Sequence, residues 1–261
     1  MIKAVFFDID GTLVSLKTKI YSASTKEALE RLRANGVQLF IATGRSRFEI
    51  AEEGLLDGLR FDGFLTNNGQ AVYDAEWKPI YTLPIASCDA EAVVRYAEER
   101  SLPCWVVGEA GSLLNRYDSR VREAMEAIHT RMPRLGDIWT ALEKPVYKIV
   151  FFLTAEEMRT GPLPLAPHCR TTQWYEVGHD LISAGGGKQN AMREIIARIG
   201  VDCTETMAFG DSENDLEMLR FAQIGMAMGN GTAAAKSAAD YVTDDCDENG
   251  IWNALRRFAL I

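Results

Sequence analysis

The stretch "AVFFDIDGTLVS", residues 4–15, decides how the rest of the chain is read. Four apolar residues suited to a buried strand run into two carboxylates, Asp8 and Asp10, and then a Gly-Thr turn. Charge is expensive to hold at the end of a buried strand, so its presence there asks for a use. In an open parallel sheet, ligands gather beyond the carboxyl ends of the strands, where these aspartates would lie. Their two-residue spacing would turn both side chains to one side if the strand continued.

Outward from that strand, the first third alternates strand and helix. "SASTKEALERLRANG" reads as a helix with Ser24 and Glu27 as a capping box and Gly36 just past its end. "VQLFIA" is the next strand, ending at Thr43-Gly44-Arg45, and "RSRFEIAEEGLL" is helical again. "FLTNNGQAVYD" reads as a hairpin, because Asn68-Gly69 is the favoured pair for a tight I′ turn. The last third keeps the rhythm. "KQNAMREIIARIG" is a helix closed by Gly200, "TMAFG" a strand and "ENDLEMLRFA" a helix. "IGMAM", "TAAAKSAA", "YVT" and "IWNALRRFAL" continue as strand, helix, strand, helix. Short apolar strands alternating with amphipathic helices imply an α/β fold, a Rossmann-like parallel sheet with helices on both faces.

Residues 82–185 differ. Helical "DAEAVVRYAEER" leads to strand-like "PCWVVG", and helical "SRVREAMEAIHTRM" leads to "VYKIVFFL". After the proline-rich "GPLPLAP" comes one more strand-like stretch, "TTQWYEVGHDLIS". This is the pattern of an α+β unit inserted between core segments 1–81 and 186–261.

Hydrophobic residues make up 47% of the 261, and charged residues 25%, enough for a sizeable core. No apolar run approaches the roughly 20 residues of a membrane span, and the N-terminus has no secretory pattern. The net charge, 28 − 37 = −9, argues against a nucleic-acid binder. Five scattered cysteines without a C-x-x-C pair suit a reducing compartment, so a cytoplasmic location is expected. Three histidines, His129, His168 and His179, are too few and scattered for a zinc site of familiar spacing. A monomer or weak homo-oligomer is expected.

The opening motif has a counterpart in "AFGDSEND", residues 208–215, where a strand and a glycine precede Asp211 and Asp215. If these strands are neighbours, several carboxylates converge. Two like charges about 4 Å apart repel by roughly 4 kcal/mol at an effective dielectric near 20. Such a cluster holds protons or a cation, and oxygen-only ligands point to Mg²⁺. Alone, D-x-D-G is an ordinary turn and an Asp or Ser before a helix an ordinary cap. Four elements in order, DxDGT, TGR, a loop lysine and GDxxND, are not explained that way. "AGGGKQN" fails as a phosphate-binding P-loop, since Gln189 stands where Ser or Thr is needed and Ile182 replaces the first glycine.

With "FFDIDGTL", "IATGR" and "FGDSENDLEML…AMGNG…AADYVT…NGI", the chain resembles the haloacid dehalogenase superfamily of phosphatases, in its Cof-type branch with an inserted α/β cap. The resemblance implies that Asp8 is the nucleophile that takes the phosphoryl group and also a Mg²⁺ ligand. It implies that Asp10 protonates the leaving oxygen and then activates water, its backbone carbonyl reaching the metal. Thr43 and the Gly44 amide would hold phosphate oxygens, Lys188 would bridge phosphoryl group and Asp8, and Asp211 would ligate the metal. Asn214 would lie near the phosphate. Asp215 would act through a metal-bound water or by orienting Lys188. Arg45 reads either as a substrate contact or as a helix cap, and Asn68 as a substrate neighbour or a plain hairpin residue. Two departures concern loop shape: Gln189 follows Lys188 where the family has glycine, and Gln70 follows Asn68-Gly69 where it has alanine. Trp174, Glu176, His179 and Asp180 are candidates for a leaving-group pocket, against a structural role for each.

The expected activity is Mg²⁺-dependent hydrolysis of small phosphate monoesters, sugar (hexose) phosphates above all, through an aspartyl-phosphate. A phosphomutase shares that intermediate. A phospho-receiver module also gathers carboxylates, but the N-terminal DxDGT and the large insert argue against it. A dehalogenase fits less well, since Asp10 and GDxxND suit phosphate chemistry. The partner is a small phosphorylated metabolite.

Overall fold

The computed structural model describes residues 1–128 and 130–261, and His129 lies outside them. The chain divides into two compact units, Met1–Tyr81 with Gly187–Ile261, and Thr82–Gly186.

The first unit carries β1 (Ala4–Phe7), α1 (Ala23–Ala34), β2 (Gln38–Ala42), α2 (Arg47–Glu53), β3 (Gly63–Thr66), β4 (Ala71–Asp74) and β5 (Pro79–Thr82). The chain leaves it for α3 (Ser87–Glu99), β6 (Cys104–Gly108), β7 (Gly111–Leu114), α4 (Ser119–Ala127), α5 (Ile138–Ala141), β8 (Val146–Phe152), α6 (Ala155–Thr160), β9 (Cys169–Gln173) and β10 (Gly178–Ser183). It returns with α7 (Lys188–Ile199), β11 (Thr206–Gly210), α8 (Leu216–Phe221), β12 (Ile224–Ala227), α9 (Ala233–Ala238), β13 (Tyr241–Val242) and α10 (Gly250–Arg257).

The sheet of the first unit runs β13-β12-β11-β1-β2-β3-β4-β5. It is parallel from β13 to β3, and β4 returns antiparallel to β3. β1 is central because its residues can be buried on both sides. Val5 and Phe7 pack with Leu39, Ile41, Phe209, α1 and α10, while Ala4 and Phe6 pack with Phe40, Ala208, α7 and α8. Rings stack on both faces, Phe7 on Phe209 at 5.1 Å and Phe6 on Phe40 at 4.9 Å between centroids. Burying each such side chain contributes roughly 1.5–3 kcal/mol. The chain order reverses at β1, with β2 on one side and β11 on the other, so their carboxyl ends form the crevice of a topological switch point.

Three local readings are corrected. α1 is capped by Ser22, which accepts from Thr25 N, rather than by Ser24, while Gly36 does take the left-handed conformation (φ +78°) past the helix end. Asn68-Gly69 is not a two-residue turn. Thr66 pairs with Ala71, leaving a four-residue loop in which Asn67, Asn68 and Gly69 all have positive φ. That loop is pulled open from outside: Asn67 N donates to Arg45 O and Asn68 N to Thr43 O, both at 2.9 Å. The third is the stretch 171–183, which is two antiparallel strands, β9 and β10, not one.

The second unit holds a five-stranded sheet, β7-β6-β8-β10-β9. Period-two alternation separates its faces. Val106, Ile149, Phe151 and Leu181 pack with α3, whereas Trp105, Val107, Val150 and Phe152 pack with α4. Among the described residues no helix is long and apolar enough to cross a membrane.

Candidate active site

Each carboxylate sits where a strand of the first unit stops. Asp8 follows β1, its amide donating to Phe209 O at 3.0 Å, which fastens it to the end of β11. Asp211 follows β11, and Asp215 closes the short turn leading into α8. Asp8, Asp211 and Asp215 are buried, and each offers an oxygen within 4.8 Å of the others.

Lys188, the first residue of α7, reaches into this group with its Nζ 2.6 Å from Asp8 Oδ1 and 2.6 Å from Asp215 Oδ1. Its side chain is 0% exposed, so the ammonium is held by those carboxylates and not by solvent. Burial alone would lower its pKa, but the two carboxylates outweigh burial and hold it above the ordinary lysine value. The other Asp215 oxygen accepts from the amides of Asp211 (3.0 Å) and Ser212 (3.1 Å), so Asp215 orients both Lys188 and the strand end that presents Asp211. Thr12 Oγ1 donates to Asp211 Oδ1 at 3.0 Å.

The balance is negative: three carboxylates against one ammonium. Burial first, then the charges of Asp215 and Asp10, push Asp8 up to about 7 despite Lys188. Burial, then Asp8 and Asp215, raise Asp211 well above its ordinary value. An oxygen-only cluster of three buried carboxylates suits a hard divalent cation, and Mg²⁺ fits that donor type. Gly11 is required beside it. Its φ is +78°, and a Cβ there would lie 2.6 Å from Asp211 Oδ2.

Asp10 goes elsewhere. The β1 strand ends at Phe7, so the alternation that would have turned both aspartates one way does not extend to Asp10. Arg45 clasps its carboxylate, Nε to Oδ2 at 2.6 Å and Nη2 to Oδ1 at 2.9 Å, and Lys19 Nζ lies 4.0 Å away. Burial would raise the Asp10 pKa, but the Arg45 hydrogen bonds and charge hold it below the usual value. Arg45 Nη1 also lies 2.9 Å from Glu53 Oε1, close enough for an ion pair though not aligned as a hydrogen bond. Arg45 is therefore not its helix's cap. Ser46 is, with Glu49 completing the capping box.

Thr43 is buried, its Oγ1 accepting from Arg45 N at 3.1 Å. Gly44 is pressed against Asn68, and Asn68 Oδ1 accepts from Asn214 Nδ2 at 3.0 Å. Asn68 thus joins the Thr43–Arg45 loop to Asn214, more than a hairpin turn requires. These residues, Asp8, Lys188, Asp211 and Asp215 all belong to the first unit.

The candidates in the second unit divide, with Trp174 and Asp180 together and His179 apart from them. His179 and Asp180 are successive on β10 and point to opposite faces, so the expectation that both line one pocket is corrected. His179 pairs with Phe151 on the α3 side, is 3% exposed, and its Nε2 meets no partner among the described residues. Burial lowers its pKa. Glu176 is exposed. Asp180 Oδ1 accepts from Trp174 Nε1 at 2.9 Å, and its Oδ2 lies 4.0 Å from Lys148 Nζ, which sits over the Trp105 ring. Lys148 was not anticipated. The signal was present, since a lone lysine in the apolar run "VYKIVFF" is out of place in a buried strand.

The sequence profile of the haloacid dehalogenase-like hydrolases matches residues 5–255. Phosphatase BT1666 from Bacteroides thetaiotaomicron has a similar structure, with a TM-score of 0.90 at 30% identity, covering 100% of this chain and 96% of that one. The sugar phosphatase BT4131 superposes with a TM-score of 0.86 at 37% identity over 99% and 100% of the two chains. A 5-amino-6-(5-phospho-D-ribitylamino)uracil phosphatase of Bacillus subtilis is 27% identical over 97% of this chain and 96% of its own. With carboxylates at the ends of β1 and β11, a buried lysine between them and a match over nearly its whole length, the chain belongs to the haloacid dehalogenase-like hydrolases, as a phosphatase of the Cof-type branch.

Proposed function

We propose that this enzyme hydrolyses small phosphate monoesters, hexose phosphates first among them, in a Mg²⁺-dependent reaction through an aspartyl-phosphate on Asp8. The observation that carries the reading is the division between the two aspartates of "DID". Asp8 is buried against Lys188 and the acidic cluster, while Asp10 is held apart by Arg45. A nucleophile and a proton carrier need different surroundings; here a cation on the Asp8 side would ionise the nucleophile, and release of Arg45 would let Asp10 take up a proton.

Asp8, Asp211 and Asp215, with the Asp10 carbonyl, would hold Mg²⁺, which supplies charge neutralisation for the phosphoryl group. A carboxylate oxygen of Asp8 attacks phosphorus, and the ester oxygen departs with the proton of Asp10. Asp10 then takes a proton from water, whose oxygen attacks the same phosphorus and releases phosphate and Asp8. Lys188 keeps Asp8 in place and offsets phosphate charge, as do Thr43, the Gly44 amide and Asn214. To donate a proton, Asp10 must leave Arg45, so substrate binding is taken to loosen that pair.

Residues 82–186 are proposed to select the leaving group. Two facts support this: a polar group on one face of their sheet, buried Lys148 and Asp180 with half-buried Trp174, and a sugar phosphatase among the similar structures. Lys148→Met and Asp180→Asn should therefore reorder substrate preference without removing phosphoryl transfer.

The test is phosphate release from hexose, pentose, nucleotide and cofactor monophosphates, with Mg²⁺ or chelator, for wild type and Asp8→Asn. Metal-dependent release lost in the variant is expected. No release from any ester would overturn the reading, and an isomeric sugar phosphate in place of free phosphate would make the enzyme a mutase.

A further inference from the structure

A second group of metal-ligand side chains lies far from the phosphatase chemistry in composition, and wholly within the Thr82–Gly186 unit. Asp89, in the first turn of α3, is 3% exposed, and three donors converge on its carboxylate. Cys88 Sγ is 3.5 Å from Oδ1, and Cys169 Sγ is 3.7 Å from Oδ2. His168 Nδ1 is 3.3 Å from Oδ1 and 3.2 Å from Oδ2. The ligand atoms of Cys88, Asp89 and His168 lie within 4.8 Å of one another.

We propose that Cys88, Asp89, His168 and Cys169 form a binding site for a soft divalent cation, Zn²⁺ by chemistry, that is structural and separate from the Mg²⁺ cluster. Three points carry the inference. Two thiols, an imidazole and a carboxylate are the donor types Zn²⁺ prefers, whereas the Asp8 cluster offers oxygen alone and suits a hard ion. The spacing suits it: the ligand atoms of Cys88, Asp89 and His168 lie within 4.8 Å of one another, and Cys169 Sγ lies 3.7 Å from Asp89 Oδ2, so a turn of that side chain brings the second thiol to the ion. The ion also has a way in, because the Cys88 residue is exposed and the His168 side chain is 70% exposed, while Asp89 is anchored at the bottom by His168 N at 3.0 Å.

Four protein ligands leave no open position for substrate or water, which marks a structural site. Its place in the fold gives it work. Cys88 lies six residues after the unit begins, and Cys169 opens β9, the edge strand of its sheet. Cys169 pairs with Ser183, and Ala184 N donates to His168 O at 2.8 Å, so His168 and Cys169 sit beside the segment by which the chain leaves. A bound ion would tie the start of α3 to the edge strand and so fasten both ends of the inserted unit together.

The experiment uses the full-length protein, kept reduced with a phosphine, stripped of metal and titrated with Co²⁺. One equivalent should give thiolate-to-cobalt charge transfer and the intense visible bands of four-coordinate Co²⁺. Zn²⁺ should bleach them, and a large excess of Mg²⁺ should not. Because the Asp8 cluster contains no sulfur, charge transfer excludes it, and loss of the bands in the cysteine variants separates this site from the Asp245–Cys246–Asp247 group. Cys88→Ser and His168→Gln, both at exposed positions, should each weaken binding by about tenfold or more. Cys88→Ser/Cys169→Ser should abolish the bands. Zn²⁺ at a hundredfold excess over its dissociation constant should raise the melting temperature by about 5 °C in wild type only. Three results would overturn the proposal: no charge-transfer band in wild type, bands undiminished in the double variant, or a Cys88–Cys169 disulfide in freshly isolated protein with no ion retained. The first would leave Asp89 as a plain carboxylate cap for the His168 backbone.

Discussion

Substituting Asp8 by Asn should make the metal-free protein more stable at alkaline pH, although it removes the proposed nucleophile. In the native fold, burial and the neighbouring carboxylates raise Asp8 from 3.8 to about 7. The difference, 7 − 3.8 = 3.2, at about 1.36 kcal/mol per unit, corresponds to about 4 kcal/mol. The sign follows from proton counting. Between about pH 4 and about pH 7 the folded protein holds a proton on Asp8 that the unfolded chain has lost, so stability declines as pH rises through that window. Asn cannot ionise and escapes the decline, while its amide oxygen can still accept from Lys188. In chelator, the unfolding free energies of wild type and variant from urea melts should nearly coincide near about pH 4 and diverge by up to about 4 kcal/mol by about pH 8, the variant being the more stable. Saturating Mg²⁺ should shrink or reverse the gap, because the cation rewards the ionised carboxylate. A pH-independent difference, or an Asn variant less stable than wild type at alkaline pH without metal, would refute the claim that Asp8 is ionised at a cost.

Lys188→Met should cost about 3–5 kcal/mol, since it leaves buried Asp8 and Asp215 without their shared cation, and Mg²⁺ should recover part of the loss in a denaturation curve. Gly11→Ala forces a non-glycine residue to φ +78° with its Cβ against Asp211. It should lower Mg²⁺ affinity by at least about tenfold and stability by about 1–3 kcal/mol, measured by calorimetry and urea melts. Arg45→Met removes the groups that hold the Asp10 pKa down, so the limb of the pH–rate profile set by Asp10 should move to higher pH; an unmoved limb would show that Asp10 does not control it.

The parallel core was legible because β1, β2 and β11 are apolar runs that end in chemistry-bearing residues, and because the helices between them keep a single apolar face. Asp8, Asp211 and Asp215 could be grouped before any coordinates, since strand ends in such a sheet converge, whereas Lys188 joined them only through the family resemblance. What local patterning missed was imposed from a distance. The Asn67–Gln70 loop is held open by carbonyls of Thr43 and Arg45, so a favoured turn pair never forms its tight turn. The N-cap of α1 moved two residues to Ser22, a change within the reach of any Ser-rich approach. The split of 171–183 into β9 and β10 was hidden because "WYEVG" carries aromatic and β-branched residues through a turn. The separation of His179 from Asp180, by contrast, was available from period-two alternation alone.

The Arg45–Asp10 pair could not have been read, because nothing in thirty-five residues of separation announces which carboxylate an arginine will choose. It also explains why this strand end tolerates two aspartates. Were both turned into one buried space beside Asp211 and Asp215, four carboxylates would share one lysine, and repulsion would protonate the group or unfold the loop. Ending β1 at Phe7 lets the turn carry Asp10 to a different cation. One aspartate is then raised to about 7 and the other lowered, from positions two residues apart. The Gly11 turn, with its φ of +78°, is what lets the chain bend directly after the second of the two carboxylates. A variant that straightened the turn should therefore lose metal affinity and the proposed proton carrier together, although it altered neither carboxylate.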